Sequence, residues 1–325
     1  MVGSVLVYED RIIGEGYHRL YGQAHAEVNC INSVAEKDKH LVDKATLYVS
    51  LEPCAHFGKT PPCSDLIIAK NIPQVVVGCR DPFEQVNGKG IEKLRAAGIQ
   101  VVLPVMEQAC KQLNKRFFTF HTRQRPYIIL KWAATADNRI AAPEGSPRLH
   151  ISNEYTNRLV HRWRSEEAAI LIGTNTALYD NPSLTNRLWT GHHPVRLVID
   201  TQLRLPTTLQ VFDGQQKTIV FNHTRQGEQH NLHYYQLPNK EQLVQEVLQA
   251  AHRLSIQSIL VEGGAQLLQS FINDGLWDEA RIITNETLVI GKGLAAPVLS
   301  GHLHTHTEKI QNDTIRYFTN QNHND

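Results

Sequence analysis

Four residues constrain this chain more than any others: His25 and Glu27 in the run HAEV, and Cys54 and Cys63 in LEPCAHFGKTPPC. One imidazole and two thiolates can hold a zinc ion and leave its fourth position open to water. A carboxylate two residues from the histidine, and not itself a ligand, suits moving that water's proton. A lone buried histidine is more often structural; Glu27 beside it and a Pro-Cys downstream reverse that balance. Eight residues, AHFGKTPP, separate the two cysteines, wider spacing than the usual Cys-x-x-Cys.

The flanking sequence shows how the four can meet. Strands are expected over 3–8 and 11–16, with a turn at Glu9-Asp10. A helix follows over 24–37, because Ala24, Val28, Ile31 and Ala35 share one face at helical spacing. His25 and Glu27 then lie in its first turn. The β-rich run 45–51 reads as a central strand ended by Glu52-Pro53-Cys54, and Pro61-Pro62-Cys63 opens a helix through about residue 70. A cysteine near a helix N-terminus feels the positive end of the dipole, which favours the thiolate that zinc requires. The polar, Gly/Pro-bearing insert 55–62 suits a pocket lining better than a core. A strand over 74–79, a helix over 91–97 and a strand over 99–103 complete an alternation that predicts a three-layer α/β sandwich with a largely parallel sheet.

A chain of 325 residues exceeds the usual single core, so two domains are expected, 1–122 and 123–325, joined through the basic, Pro-terminated run HTRQRP. Lys plus Arg (33) nearly cancels Asp plus Glu (32). No overall basic field therefore favours nucleic acid or an anionic membrane. No apolar run approaches a membrane span, and the N-terminus has no signal-peptide pattern. Five cysteines without a disulfide framework fit a reducing cytoplasm; Cys30, Cys79 and Cys110 read as small buried hydrophobes.

The second half offers less compact signals. Strand 127–133 carries Lys131, which is either an edge residue with a packed stem or an inward functional cation. Over 170–173 a buried strand leads into Gly173-Thr174-Asn175-Thr176, a strand-to-loop turn where a hydroxyl can meet a phosphate or ribose. Asp180, with Asn181-Pro182, makes a turn that could present a carboxylate. Arg164 and Arg187 are candidates for gripping a phosphate through paired hydrogen bonds, although His161, Arg162 and Arg164 together also read as a solvated helix face. Strand 258–261, then Glu262-Gly263-Gly264, then a helix over 265–272 can form an anion site at a helix N-terminus, though a bare Gly-Gly turn is more often an ordinary connection. His302, His304 and His306 alternate as on one strand face; with no acid or cysteine beside them, the surface reading outweighs a metal site.

The first cluster has the His-x-Glu…Pro-Cys…Cys logic of zinc nucleobase deaminases. Together with the full run 51–63, the DP…V.G.GI segment and the LN..F run at 113–117, it resembles the deaminase half of the bifunctional riboflavin-biosynthesis deaminase–reductases. KWAATADNRIA, HISNEYTNRLVHRWR, AILIGTNTALYDNPSLTNR, RLVIDTQLRLP and ILVEGGAQLLQSFI are similar to the reductase half of the same family. The resemblance covers residues 2 to about 293 and implies a cytidine-deaminase-like domain followed by a dihydrofolate-reductase-like one. It implies zinc on His25, Cys54 and Cys63, with Glu27 as proton shuttle, and hydrolytic deamination of a diaminopyrimidinone ribosyl phosphate. It further implies NADPH-dependent reduction of the ribosyl group to ribityl. Carried over by position, cofactor contacts fall at Ala134, His150, Thr176, Asp180, Thr201, Gly264, Ala265, Gln266, Leu267, Leu268, Gln269 and Ser270. Substrate contacts fall at Arg148, Arg164, Leu184, Arg187 and Glu262, and Lys131 is implied to polarise the open sugar aldehyde or its imine. A homodimer or larger assembly is implied as well.

The chain departs from the family pattern in several places. Members carry a helix before the first strand, ending in Pro-Asn-Pro-x-Val-Gly, whereas this chain opens at the Met1-Val2-Gly3 that closes it. Two expectations follow, a start codon further upstream or a crippled deaminase, and the first is favoured. Asp81-Pro82-Phe83-Glu84 replaces DPNP, ATADN replaces ASLDG, and Arg148 and His150 replace a serine and a tryptophan. Three readings stand: the two-step riboflavin enzyme, a reductase on an inactive deaminase scaffold, and a nucleic-acid or tRNA deaminase. The last calls for a basic, aromatic-studded groove, against which charge balance and 7% aromatics weigh.

Overall fold

The computed structural model describes every residue except Tyr21, Glu84, Gln85, Glu144, Arg148, Lys240, Asn324 and Asp325. The chain divides into two compact units, Met1–Arg123 and Gln124–Asp325.

In the first unit, β1 (Gly3–Tyr8), β2 (Arg11–Tyr17), β3 (Thr46–Leu51), β4 (Gln74–Cys79) and β5 (Gln100–Val102) form one sheet in the order β2-β1-β3-β4-β5. It is mixed, not largely parallel: β3, β4 and β5 run parallel, while β1 is antiparallel to both β2 and β3. The cause is local. Glu9 and Asp10 both adopt positive φ (49° and 60°), the two-residue geometry that folds a strand straight back on itself. Helices α1 (Ala26–Asn32), α2 (Cys63–Ala69), α3 (Lys89–Ala96), α4 (Glu107–Leu113) and α5 (Lys115–Thr122) accompany the sheet.

Helix α1 ends well before residue 37. Ser33 donates its hydroxyl to the Cys30 carbonyl at 2.7 Å and accepts the Glu15 N–H at 2.9 Å, and the chain continues as a 3-10 segment, Glu36–Lys44. The helix lies almost on the backbone of β2. A Cβ at Gly16 would stand 2.3 Å from the Cys30 nitrogen, so only glycine admits this approach. The core of the unit gathers Leu6, Ile31, Leu47, Ile67, Val75, Val77 and Leu94.

The second unit is built from β6 (Tyr127–Thr135), β7 (Arg139–Ala141), α6 (Glu154–Glu166), β8 (Ala169–Gly173), α7 (Thr174–Asp180), β9 (Val195–Ile199), β10 (Thr218–Asn222), β11 (Gly227–Gln229) and β12 (Leu232–Gln236). It continues through α8 (Leu243–Arg253), β13 (Ser258–Gly263), α9 (Ala265–Asn273), β14 (Glu279–Asn285), β15 (Leu294–Ala295), β16 (His302–Ile310) and β17 (Asp313–Asn320). Ten strands make one sheet in the order β11-β12-β10-β9-β8-β13-β6-β14-β17-β16. Strands β12 to β14 in that order are parallel, and β17 and β16 extend it antiparallel. The central strands read as continuous apolar runs because helices cover both faces, and their side chains pack with Trp277, Phe271, Leu248 and Val247.

One local expectation changes here. The stretch Gly173-Thr174-Asn175-Thr176, expected as a strand-to-loop turn, opens helix α7 (Thr174–Asp180), with Gly173 as its extended N-cap. Near the C-terminus, β17 is half of a hairpin with β16. The alternating histidines sit on that edge strand, with a register shift between His304 and His306. Their rings lie against Phe318 at 5.0 Å (His302) and 5.5 Å (His304) and against Tyr317 at 5.6 Å (His306). No helix of the described residues is long and apolar enough to cross a membrane.

Candidate active sites

The first site forms where three element ends converge in the unit Met1–Arg123. His25 is the residue before α1 and Glu27 lies in its first turn. Cys54 follows the end of β3, and Cys63 opens α2. The His25 Nδ1 atom is 3.5 Å from Cys54 Sγ and 3.3 Å from Cys63 Sγ. The three donor atoms lie within 4.8 Å of one another. Zinc bonds of about 2.0–2.3 Å in a tetrahedron require donors at such separations, so the residues fit the ion. Among the described residues this is the one cluster of three or more His, Cys, Asp or Glu side chains arranged for a metal.

The electrostatics divide the two sulfurs. Cys54 is pushed down to about 4, chiefly by the hydrogen bond from the Cys63 thiol, with His25 and the Cys63 N–H adding to it. That backbone N–H donates to Cys54 Sγ at 3.3 Å. Cys63 is pushed up by the same hydrogen bond and by burial. His25 is raised by its hydrogen bond with Cys54. Glu27 is 3% exposed, and this burial raises its pKa; the negative charge of Cys54 adds to the effect. A carboxyl whose pKa is raised beside a metal ligand is a stronger base than one in water, which suits taking and returning a proton.

The second site is a cleft of about 800 Å³ at the C-terminal ends of the central parallel strands in the unit Gln124–Asp325. Open parallel α/β sheets present ligand sites at that end. Lys131, His150, Arg164, Thr176, Asp180, Leu184, Arg187, Thr201 and Glu262 line it, together with Gly264, Ala265, Gln266, Leu267, Leu268 and Ser270. Lys131 sits on β6, an interior strand between β13 and β14, so the edge reading of that lysine falls. The solvated reading of Arg164 falls too: its Nε and Nη2 reach Glu262 at 2.8 and 2.6 Å, and its Nη1 donates to the Thr185 carbonyl at 3.2 Å. Burial opposes the Glu262 charge, but Arg164 and then Lys131 overcome it and hold the carboxylate at about 2.

Two expected cofactor positions do not turn their side chains to this cleft. Ala134 is buried in the core, and strand alternation presents Ala133 instead. Gln269 faces the other side of α9, where it bonds Asn273 and the Val298 backbone. Arg148 lies outside the described residues.

Comparison with known proteins decides between the readings. The model of the RibD C-terminal domain matches residues 126–322, and that of the cytidine and deoxycytidylate deaminase zinc-binding region matches residues 1–79. A riboflavin biosynthesis protein RibD of Aquifex aeolicus is 40% identical over 306 residues, covering 90% of this chain and 82% of the relative. The chain belongs to the RibD family. The RibD of Escherichia coli is 35% identical over 298 residues, covering 86% of this chain and 79% of that protein. A crystal structure from Thermotoga maritima, of a diaminohydroxyphosphoribosylaminopyrimidine deaminase/5-amino-6-(5-phosphoribosylamino)uracil reductase, superimposes with TM-score 0.88 at 34% identity, covering 98% of this chain and 91% of that one. As a RibD, this chain is a bifunctional riboflavin-biosynthesis enzyme with a zinc-binding deaminase domain and a reductase domain of the NADPH-using type.

Three further residues belong to these sites without a sequence pattern that singles them out. His161, 1% exposed, lines the cleft and accepts the Arg187 backbone N–H on Nδ1 at 2.9 Å. Burial, then the Arg164 and Arg187 charges, push it down to about 4. Arg204 lines the cleft mouth with Thr201, and its Nη2 donates to Asn175 Oδ1 at 3.2 Å. Glu52, adjacent to the Pro53-Cys54 pair, is buried. Its place beside Pro-Cys was the available signal; for the other two only spacing from Arg164 and Thr201 could have served.

Proposed function

We propose that the unit Met1–Arg123 hydrolyses the amino group of a diaminopyrimidinone ribosyl phosphate, and that the unit Gln124–Asp325 then reduces the ribosyl side chain of the product to ribityl. In the first step one water replaces one amine, and ammonia leaves. His25, Cys54 and Cys63 would hold one zinc ion, which when bound lowers the pKa of water toward about 7. Glu27 takes the proton from that water and returns it to the departing nitrogen. Its burial next to the donor cluster supports this, because a carboxylate in water would be too weak a base for the task.

For the second step NADPH, when bound, would supply the hydride for the open sugar carbon, and a proton completes the reduction. Lys131 faces the same cleft as Glu262 and Arg164, where its ammonium can polarise the carbonyl or imine, and Asp180 stands at the end of α7 to orient the reacting partners. Arg164 and Arg187 grip the substrate phosphate, with Leu184 and Glu262 completing its contacts. The order of strands supports one direction for the cofactor. Gly264 and the first turn of α9 would hold the pyrophosphate, Lys131 on β6 would serve the nicotinamide end, and Thr176 and Thr201 the adenosine end. Arg204 stands at that end with its guanidinium Nη2 on the neutral Asn175 amide, and we assign it to the 2′-phosphate.

We further propose that the enzyme works in the cytoplasm as a homodimer or larger assembly on this small-molecule substrate, without nucleic acid. Free thiols on all five cysteines agree with a reducing compartment. The convergence of His25, Glu27, Cys54 and Cys63 carries the two-step reading. Purified protein with zinc, the diamino substrate and NADPH should release ammonia and oxidise NADPH in separately followed signals. Glu27→Ala should stop the first and spare the second when the deaminated pyrimidine is supplied. If Glu27→Ala released ammonia as fast as the parent, the deaminase assignment would be wrong.

A further inference from the structure

The turn that delivers Cys54 is held by a residue outside the donor set. Glu52 follows β3 directly and is 4% exposed. Its Oε2 accepts the backbone N–H groups of Asp81 at 3.3 Å and Gly88 at 3.0 Å. Its Oε1 accepts those of Gly90 at 3.0 Å and Ile91 at 3.3 Å. A buried carboxylate without such compensation would cost several kcal/mol; here four backbone donors supply it, and Gly90 and Ile91 belong to the first turn of α3, the positive end of that helix.

The same contact reaches the next residue along. A Cβ on Gly90 would lie 1.9 Å from the Pro53 carbonyl oxygen and 3.3 Å from Glu52 Oε1. The start of α3 therefore abuts the Pro53 peptide itself. Cys54 comes next, in a stretch from 52 to 62 that has neither helix nor strand to fix it. Its sulfur must nevertheless stand within reach of both His25 and Cys63.

We propose that Glu52 is a positioning residue of the metal centre: by clamping the 52–54 turn onto the start of α3, it fixes the Cys54 sulfur where three donors can share one ion. The inference rests on the reading of His25, Cys54 and Cys63 as a zinc site. Residues that orient metal ligands from outside the coordination sphere commonly change affinity by about 10–100-fold. Glu52→Gln keeps the shape but turns an NH₂ group toward two backbone donors. Glu52→Asp keeps the charge on a shorter arm.

The test uses the full chain with zinc titrated against a competing chelator. The absorption of the cobalt-substituted protein and hydrogen exchange in β1, β3 and β4 are measured alongside. For Glu52→Gln, zinc affinity is expected to fall at least tenfold and the cobalt–thiolate bands to shift, with the sheet still protected; Glu52→Asp should recover part of both. Parental affinity and spectrum in a protected Glu52→Gln protein would overturn the proposal. Loss of sheet protection in both variants would overturn it as well, since Glu52 would then hold the unit together and not position a ligand. A parent chain that takes up no more zinc than Cys54→Ala would instead defeat the metal-site reading, before any Glu52 variant is compared.

Discussion

The candidate metal centre takes its donors from one short stretch, residues 25 to 63, where two helix starts and one strand end meet. The reductase cleft gathers its polar groups from Lys131 on β6 to Ser270 on α9, by way of α6, α7, β9 and β13. One site is fixed by the chemistry of its ligands, the other by the order of strands in a sheet. In the first, each side chain has a task that few other residue types could perform. In the second, position relative to the strand ends matters more than residue identity, and an arginine can serve as phosphate grip, ion-pair partner or surface charge.

If this contrast is sound, the deaminase should fail sharply at single residues. Replacing Glu27 by glutamine should lower the rate of ammonia release by about 10²–10⁴-fold, with NADPH oxidation on the deaminated pyrimidine unchanged. Chelation of the metal should separate the two activities in the same way, and restored zinc should restore ammonia release. Equal loss of both activities in either experiment would break the comparison.

The reductase should yield in stability as much as in rate. Arg164 and Glu262 form a bidentate pair whose side chains are 14% and 7% exposed. Glu262→Gln leaves the Arg164 charge buried without its carboxylate, a loss of about 3–5 kcal/mol; Arg164→Met should cost less, because Lys131 still faces Glu262. Denaturant unfolding should show it in the second unit, with the double variant less destabilised than the sum of the singles. Arg204→Ala is a smaller change: binding of NADPH should weaken about 10–100-fold, in line with the loss of one charge-assisted contact of about 1.5–3 kcal/mol, while binding of NADH stays the same. Similar weakening of both cofactors would remove Arg204 from the 2′-phosphate.

The last expected effect is a pH slope. His161 has its folded pKa pushed below its ordinary value, to about 4. Between about pH 6.5 and 4 the unfolded chain binds this proton and the folded one does not, so acidification through that window destabilises the second unit, and the loss levels off below it. Glu262, held at about 2, works at lower pH: its stabilisation is present above the ordinary carboxylate range and is lost as pH falls toward 2. In His161→Gln the thermal midpoint should vary less between pH 6.5 and 4 than in the parent.

The convergence of the candidate metal donors was legible because few other arrangements account for a histidine, an acid two residues on and two prolyl-preceded cysteines. The two-unit architecture was legible from length and from strand–helix alternation. The antiparallel hairpin at the start of the first sheet was not, since its mark is the pair of positive φ angles at Glu9 and Asp10, residues that also occupy ordinary turns. In the second unit, Lys131 and Arg164 each carried two readings until the sheet order put β6 in the interior and the ion pair joined α6 to β13. Ala134 shows the converse: a motif position can be right in register while its Cβ points into the core, because alternation along β6 assigns the cleft to Ala133. Glu52 was hidden because its partners are backbone N–H groups, which leave no pattern in a list of side chains.

The placement of β6 also bears on how the chain is made. Tyr127 on this strand pairs with Ser258, and Ile129 pairs with Glu279. Strand β6 therefore emerges from the ribosome long before either of its neighbours exists. Every strand pairing of the first sheet, by contrast, lies within residues 3–102. Contacts that close long loops form late, and domains tend to fold as units in order of synthesis. The deaminase sheet can close while the reductase is still being translated, and the apolar run YIILKWAA must remain unpaired until β13 arrives. During that interval the unpaired run is a target for aggregation.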